Sequence, residues 1–235
     1  MGRTLNFILV DEEGTKIHAT VNRPAINLFD SLPEGSWAQI SGVCVSSSNW
    51  IDCNHFLSTH PYMLVLPSTA TISPISPLTD RHFFNFALFE DVMSGFFNIA
   101  YPIDLIGTIH IVGKLSPAKN SANAERSIPF TIRDQSGNEL YCIAYGRVTE
   151  KFSLEWSLIP DGDVRILLSE WRVSASRKMY SGLAENMIVD GGKYCRFYLN
   201  PEFPGVGGDA HAMERRDESE MEISAVDDSD ALSTA

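Results

Sequence analysis

Two stretches of the chain decide its fold. Residues 7–21, FILVDEEGTKIHATV, align with residues 130–144, FTIRDQSGNELYCIA, at a constant offset of 123 positions. In both stretches apolar residues alternate with polar ones on each side of an Asp-x-x-Gly sequence, and this period of two is typical of strands. Each copy therefore predicts a β-hairpin whose tight turn places glycine where a positive φ is needed.

The repeat continues beyond the hairpins. Phe29 matches Phe152, Pro33-Glu-Gly matches Pro160-Asp-Gly, and Val45 matches Val173. Segments 25–32 and 147–152 predict one or two helical turns before the Pro-acid-Gly turn, and strand-like segments 37–45 and 164–173 follow it. The second copy also has a long candidate first strand at 102–113, bent at Gly107, and a candidate fifth strand at 179–186. The first hairpin begins at Leu5, and no stretch before it predicts such a first strand.

This order of elements is that of the five-stranded Greek-key barrel known as the OB-fold. We therefore predict an all-β protein with two tandem OB-fold barrels, the first of which lacks its first strand. The predicted boundaries are 1–82 for the first barrel, 83–101 for a linker with a short helix, 102–204 for the second barrel and 205–235 for a tail.

Charge is unevenly distributed along the chain. The formal net charge is −12, of which −7 falls in residues 209–235, −5 in residues 1–98 and none in residues 99–208. The tail lacks aromatic residues and follows a Pro/Gly-rich stretch, so we expect it to be disordered and acidic. It either solubilises the chain, competes with nucleic acid for a basic groove or recruits a partner. The neutral second barrel leaves nucleic-acid binding open.

Several classes of protein are disfavoured by what the sequence lacks. No apolar run reaches the roughly 18–20 residues of a membrane helix, and the first residues show no signal-peptide core. Four widely spaced cysteines do not suggest a disulfide scaffold, and no standard zinc, phosphate-loop or hydrolase motif occurs. We therefore expect a soluble intracellular protein that contacts no membrane, holds no cofactor or metal and is not an enzyme.

Motifs in the second copy resemble those of a known family. They occur in this order: Asp104-Leu-Ile-Gly107, Ile132-Arg-Asp-Gln-Ser-Gly137, Cys142-Ile-Ala-Tyr-Gly146, Arg172-Val-Ser174 and Asn200-Pro-x-x-Pro204. Together with residues 10–20, they resemble the tandem DNA-binding OB domains of the replication protein A large subunit, in particular the large-subunit-like proteins of plants. The resemblance implies a nuclear protein that binds single-stranded DNA during replication, recombination or repair. It also implies other replication protein A subunits or repair proteins as partners.

The resemblance also implies which residues touch DNA. The family stacks bases on aromatic side chains, which places Tyr145 and Tyr180 in the second barrel and Phe56 in the first as stacking candidates. Asn22 stands where the first barrel should have an aromatic residue, and His18 replaces a basic one. Candidate phosphate contacts are the cations near the two tyrosines, namely Arg126, Arg172, Arg177 and Lys178, followed by Lys114, Lys119, Arg133, Arg147 and Lys151.

A second hypothesis belongs to another class of function. Net acidity, Asn22 and the missing first strand also fit an OB-fold module that binds protein segments and has weak or no DNA binding.

Overall fold

The computed structural model describes residues 4–22, 25–29, 32–47, 57–95, 97–116, 125–175, 186–190 and 192–203. The first copy contains, in chain order, β1 Thr4–Val10, β2 Lys16–Asn22, α1 Ile26–Phe29, β3 Ala38–Ser41, β4 Cys44–Ser47, β5 Tyr62–Leu66 and β6 Thr71–Pro74. Then come α2 Phe89–Ser94, β7 Pro102–Val112, β8 Ser127–Arg133, β9 Glu139–Tyr145, α3 Gly146–Leu158, β10 Arg165–Ala175, β11 Asn186–Val189 and β12 Arg196–Leu199. Met1–Asn200 form one unit, and Pro201–Ala235 are grouped apart from it.

The second copy of the repeat forms a closed five-stranded barrel. The six-stranded sheet has the order β11-β9-β8-β7-β10-β12, and β11 also pairs with β10, which closes the first five of these strands into the barrel and leaves β12 beside β10. Strand β11 runs parallel to β9 and antiparallel to β10. The OB-fold prediction is confirmed by this topology. The described part of the fifth strand is β11, Asn186–Val189, and residues 179–185 of the predicted strand lie outside the described residues.

Both predicted hairpins are present, and their turns are built alike. Asp11 Oδ1 accepts hydrogen bonds from the backbone N–H groups of Glu13 and Thr15, at 3.1 and 2.7 Å. In the second copy Asp134 Oδ1 accepts one from Asn138 N at 2.8 Å. Gly14 and Gly137 adopt φ values of +97° and +88°, which glycine reaches without a steric penalty. Hydrogen bonds, that from the Thr15 backbone first, lower the pKa of the Asp11 carboxyl, although desolvation opposes them.

Aromatic rings fill the interior of the second barrel. Phe152 of α3 stacks on Phe130 of β8, with ring centroids 4.8 Å apart, and meets Phe197 edge-on at 5.4 Å. Trp171 contacts Phe130 edge-on at 5.8 Å and donates its indole N–H to the carbonyl of Arg196. These rings are almost fully buried, whereas Trp156 and Trp37 are half-buried. The second barrel therefore has the larger of the two cores.

The first copy repeats this arrangement with one position unfilled. Its sheets have the orders β1-β2-β5-β4 and β3-β6, with β5 parallel to β2 as β11 is to β9. By this correspondence β1 matches β8, and β3 with β4 matches β10. Among the described residues, no strand pairs with the free edge of β1, where β7 lies in the second copy. The first sheet thus buries a smaller core, centred on Phe29 and Val21.

Both copies bend the strand that follows the helix at the same place. Gly42 separates β3 from β4 with a φ of +74°, and Glu170 interrupts β10 with a φ of +60° beside a register shift. The offset of 128 residues that aligns Val45 with Val173 also aligns these two positions. A left-handed conformation costs a non-glycine residue roughly 1–2 kcal/mol. The contacts of Glu170 described next compensate for that strain.

A buried ionic cluster joins the two copies. Lys16 Nζ on β2 lies 3.0 Å from Asp104 Oδ2 on β7 and 2.9 Å from Glu170 Oε1 on β10. Asp104 also accepts the backbone N–H groups of Glu170 and Asn85, at 2.9 and 2.8 Å. Burial lowers the pKa of Lys16, but the two carboxylates outweigh it and raise that pKa overall. The ammonium group therefore stays charged between them.

The helices are short. The longest, α3, has 13 residues, and no helix in the described part of the chain is long and apolar enough to cross a membrane. Helix α2 lies within the segment predicted as a linker, and its Phe89 and Val92 are buried in the core of the second barrel. The predicted tail falls outside the described residues.

Candidate nucleic-acid interface

The outer face of strand β9 carries two tyrosines. Leu140, Cys142 and Ala144 point into the barrel and are at most 2% exposed. The alternating residues Tyr141, Ile143 and Tyr145 therefore point outward, because successive side chains of a strand face opposite sides. Tyr141 is exposed, and Ile143 and Tyr145 are partly exposed. The two tyrosines are four positions apart along the strand, which is about 13 Å along the backbone.

Neighbouring strands extend this face. Across β8, Thr131 lies opposite Tyr141, Pro129 opposite Ile143 and Ser127 opposite Tyr145. On the other side, Val189 of β11 lies opposite Ile143. The residues paired with the tyrosines are therefore small, and the surface around Ile143 is apolar. We call the residues Tyr141, Ile143, Tyr145, Pro129 and Val189 the tyrosine face.

Tyr145 is held firmly at the end of its strand. It is the N-cap residue of α3, and its backbone N–H donates to Asp190 Oδ2. Thr149, one turn into α3, donates its hydroxyl to the carbonyl of Ala144 at 2.7 Å. Burial, aided by the nearby charge of Asp190 and by Tyr141, raises the pKa of the Tyr145 hydroxyl. The hydroxyl is thus neutral at neutral pH, and the backbone that carries the ring is held by these hydrogen bonds.

Three predicted cations lie on the surface of the second barrel. Arg126 and Arg147 are exposed and flank the Tyr145–Gly146 peptide, since the Gly146 N–H donates to the Arg126 carbonyl at 2.9 Å. Lys114, just after β7, is also exposed. Within the described parts of the chain, none of the three forms an ion pair, so each is available to a phosphate. Arg133 differs, because it pairs with Glu139 and contacts His110 Nε2 at 2.8 Å.

Two predicted site residues are buried and need correction. Arg172 is only 9% exposed, and its Nη1 donates to the carbonyl of Ala100 at 3.0 Å. His18 is 7% exposed, and its Nε2 lies 3.3 Å from Asn6 Oδ1. Burial lowers the pKa of His18, which favours the neutral ring. Neither side chain is placed to meet a phosphate at the surface.

The remaining predicted contacts are not placed. Tyr180, Arg177, Lys178, Phe56 and Lys119 lie outside the described residues. The structure instead brings Tyr141, Asp190 and Glu125 to the neighbourhood of Tyr145. Tyr141 could have been predicted from its position four residues before Tyr145 on an alternating strand. The two acids carry no sequence signal, because they approach Tyr145 from other elements.

Comparisons with known proteins agree with the fold. Residues 1–95 match a family described as a domain of unknown function, DUF223. No curated protein matches the chain. A chain of a replication protein A heterotrimer bound to single-stranded DNA is similar in structure, with 16% identity and a TM-score of 0.53. The match covers 95% of this chain and 48% of that one, so this chain spans about half of its length.

Two further solved structures are more distant. A deletion mutant of the single-stranded DNA binding protein from Thermus aquaticus has 12% identity and a TM-score of 0.29, over 86% of this chain and 83% of that one. Fission yeast Pot1 with single-stranded DNA has 7% identity and a TM-score of 0.31, over 87% and 75%. Only the heterotrimer chain among these three exceeds a TM-score of 0.5. The chain is thus similar in fold to an OB-fold subunit of replication protein A.

Proposed function

We propose that the chain binds single-stranded DNA through the tyrosine face of its second barrel. Tyr145, with Tyr141 beside it, stacks against bases, and Arg126, Arg147 and Lys114 contact phosphates. The observation that carries the proposal is the partly exposed Tyr145, whose backbone is anchored to Asp190 and which is close in the fold to the exposed Arg126 and Arg147. Such a combination of rings and cations is how OB folds hold single strands with little sequence preference.

The biological setting is part of the same proposal. The chain acts without catalysis, in the nucleus, in DNA replication, recombination or repair. Its likeness to a chain of a replication protein A heterotrimer bound to single-stranded DNA supports this setting, as do the motifs at 104–107 and 142–146. Other subunits of that assembly or repair proteins are the proposed partners.

The strongest test removes the Tyr145 ring. Base stacking on one aromatic side chain contributes about 1–3 kcal/mol, so Tyr145→Ala should weaken binding of a labelled mixed-sequence oligonucleotide by roughly five- to 150-fold. Fluorescence anisotropy measures this change directly. Tyr62→Ala is the matched control, because Tyr62 is 52% exposed on β5 of the first copy. It should leave affinity nearly unchanged.

Salt dependence checks the role of the cations. Each phosphate neutralised contributes about −0.7 to the slope of log affinity against log salt for a single strand. Arg126→Gln and Arg147→Gln should each make the slope less negative by roughly that amount. Absence of binding at about 50 mM salt, in the full chain and in a chain ending at residue 208, would contradict the proposal.

One observation favours the second candidate, a module that binds proteins. Helix α3 exposes Leu154 and Leu158, one turn apart, at 63% and 75%. Neighbouring apolar side chains of this size on a surface often mark a site of protein contact. This function becomes the better explanation if the chain fails to bind single-stranded DNA.

A further inference from the structure

Two carboxylates lie beside the backbone at Tyr145 and Gly146, next to the candidate stacking residue. Asp190, which follows β11, holds the Tyr145 backbone N–H with Oδ2 at 2.5 Å and the Gly192 N–H with Oδ1 at 3.0 Å. Glu125, which precedes β8, lies against the next residue, since a Cβ on Gly146 would be 3.1 Å from its Oε2. The two acids also repel each other electrostatically, which shows that they share one neighbourhood.

Both carboxylates keep acceptor capacity. An ionised carboxylate offers about four lone-pair sites, and Asp190 uses two of them on backbone N–H groups. Glu125 is exposed, and in the described part of the chain its oxygens accept no hydrogen bond. A group that reaches these two carboxylates therefore meets hydrogen-bond acceptors.

We propose that these two carboxylates select the base that stacks on Tyr145, favouring cytosine over thymine. This inference rests on the proposed function and adds a preference at one nucleotide position. Cytosine presents its N4 amino group, a donor that a carboxylate accepts. Thymine presents O4 at the same place, and its single N3–H lies between two carbonyl oxygens. A carboxylate close to thymine is therefore repelled by those oxygens.

The same charges fix which part of the nucleotide can approach. A phosphate beside Asp190 and Glu125 would place like charges together, which is unfavourable. Arg126 and Arg147, next to the same peptide, attract it instead. We therefore expect the sugar–phosphate chain to pass on the arginine side and the base edge to face the acids. This orientation makes the edge of the base, rather than the backbone, the group that the acids discriminate.

The test compares two homopolymers on the full chain. Labelled oligo-dC and oligo-dT of equal length are titrated by anisotropy near pH 7.5, and oligo-dC should bind about three- to tenfold tighter. In Glu125→Gln the added amide N–H can donate to thymine O4, so the dC/dT ratio should fall toward one or invert. Asp190→Asn should act in the same direction. Asp163→Asn removes an equal charge from an exposed loop before β10 and should keep the ratio.

The outcomes separate the two proposals. Binding with equal affinity for dC and dT, or a ratio unchanged in Glu125→Gln, overturns the base selection while the stacking site survives. No binding to either oligonucleotide overturns the proposed function and the selection with it. If Asp190→Asn unfolds because Asp190 supports two backbone N–H groups, Glu125→Gln still decides the matter, since no described hydrogen bond depends on its carboxylate.

Discussion

Replacing Lys16 by methionine is expected to destabilise the chain by about 3–5 kcal/mol, because it removes the cation that contacts two buried carboxylates. The side chains of Asp104 and Glu170 are only 2% and 12% exposed, and Lys16 is the cation that contacts both. The loss should appear in urea unfolding at neutral pH as a lower midpoint with an unchanged slope.

The loss of stability caused by Lys16→Met should be smaller at acidic pH. Burial raises the pKa of the Glu170 carboxyl, Lys16 opposes that rise and Asp104 adds to it. A raised folded-state pKa means that stability is favoured below the unfolded value and declines as pH rises through the folded one. Without Lys16 the pKa rises further, so the deficit of Lys16→Met should be smaller at about pH 5 than at pH 7.

Lys151→Met provides the control for this prediction. Lys151 is 54% exposed and pairs with Glu155 one turn away at 3.6 Å, an arrangement that contributes about 0.3–0.5 kcal/mol. If Lys16→Met costs no more than Lys151→Met, the ionic cluster does not stabilise the protein in solution. A deficit that grows on acidification would contradict the role given to Glu170.

Local signals explain why the hairpins could be predicted. The Asp-x-x-Gly turns depend on contacts within a few residues, such as Asp11 with Thr15, and period-two alternation fixes the inward face of β9. The barrel could be predicted because both copies of the repeat show the same order of strands. The helix after β9 is longer than the one or two turns predicted, because it continues past Phe152 to Leu158, just before the Pro-acid-Gly turn.

Non-local contacts account for the errors. Arg172 and His18 look like surface residues in the sequence, yet Arg172 reaches the Ala100 carbonyl across 72 residues and His18 is buried. The left-handed Glu170 has no sequence signal either, because its strain is balanced by Asp104 and Lys16 from distant strands. Side-chain burial of this kind depends on the assembled fold.

The candidate site also has a part that the sequence predicts and a part that it does not. The resemblance in residues 142–146 pointed to Tyr145, and the structure places its ring on the outer face of the barrel. Asp190 and Glu125 come from segments 45 and 20 residues away, so nothing in the sequence associates them with the ring. Stacking was therefore predictable from a motif, whereas base selection required the three-dimensional contacts.

Phe152→Ala is the second change from which we expect a large effect. Phe152 is fully buried and contacts the rings of Phe130, Phe197 and Trp156. Truncating such a residue removes its transfer free energy and leaves a cavity, which together cost about 3–5 kcal/mol. Equilibrium urea unfolding of the full chain measures this loss, and Phe152→Leu should recover most of it because leucine fills part of the space.

The same substitution tests whether the core of the second barrel positions the tyrosine face. Helix α3 begins directly after Tyr145 and is tied to β9 by the Thr149 hydroxyl, so loss of its buried anchor should also loosen the Tyr145 ring. Part of the Phe152→Ala protein will be unfolded and unable to bind. The variant should weaken binding of single-stranded DNA by more than this unfolded fraction accounts for. Leu154→Ala, on the same helix but 63% exposed, should change stability by less than about 0.5 kcal/mol and leave binding intact. Equal effects of Phe152→Ala and Leu154→Ala on binding would mean that α3 does not position the stacking ring.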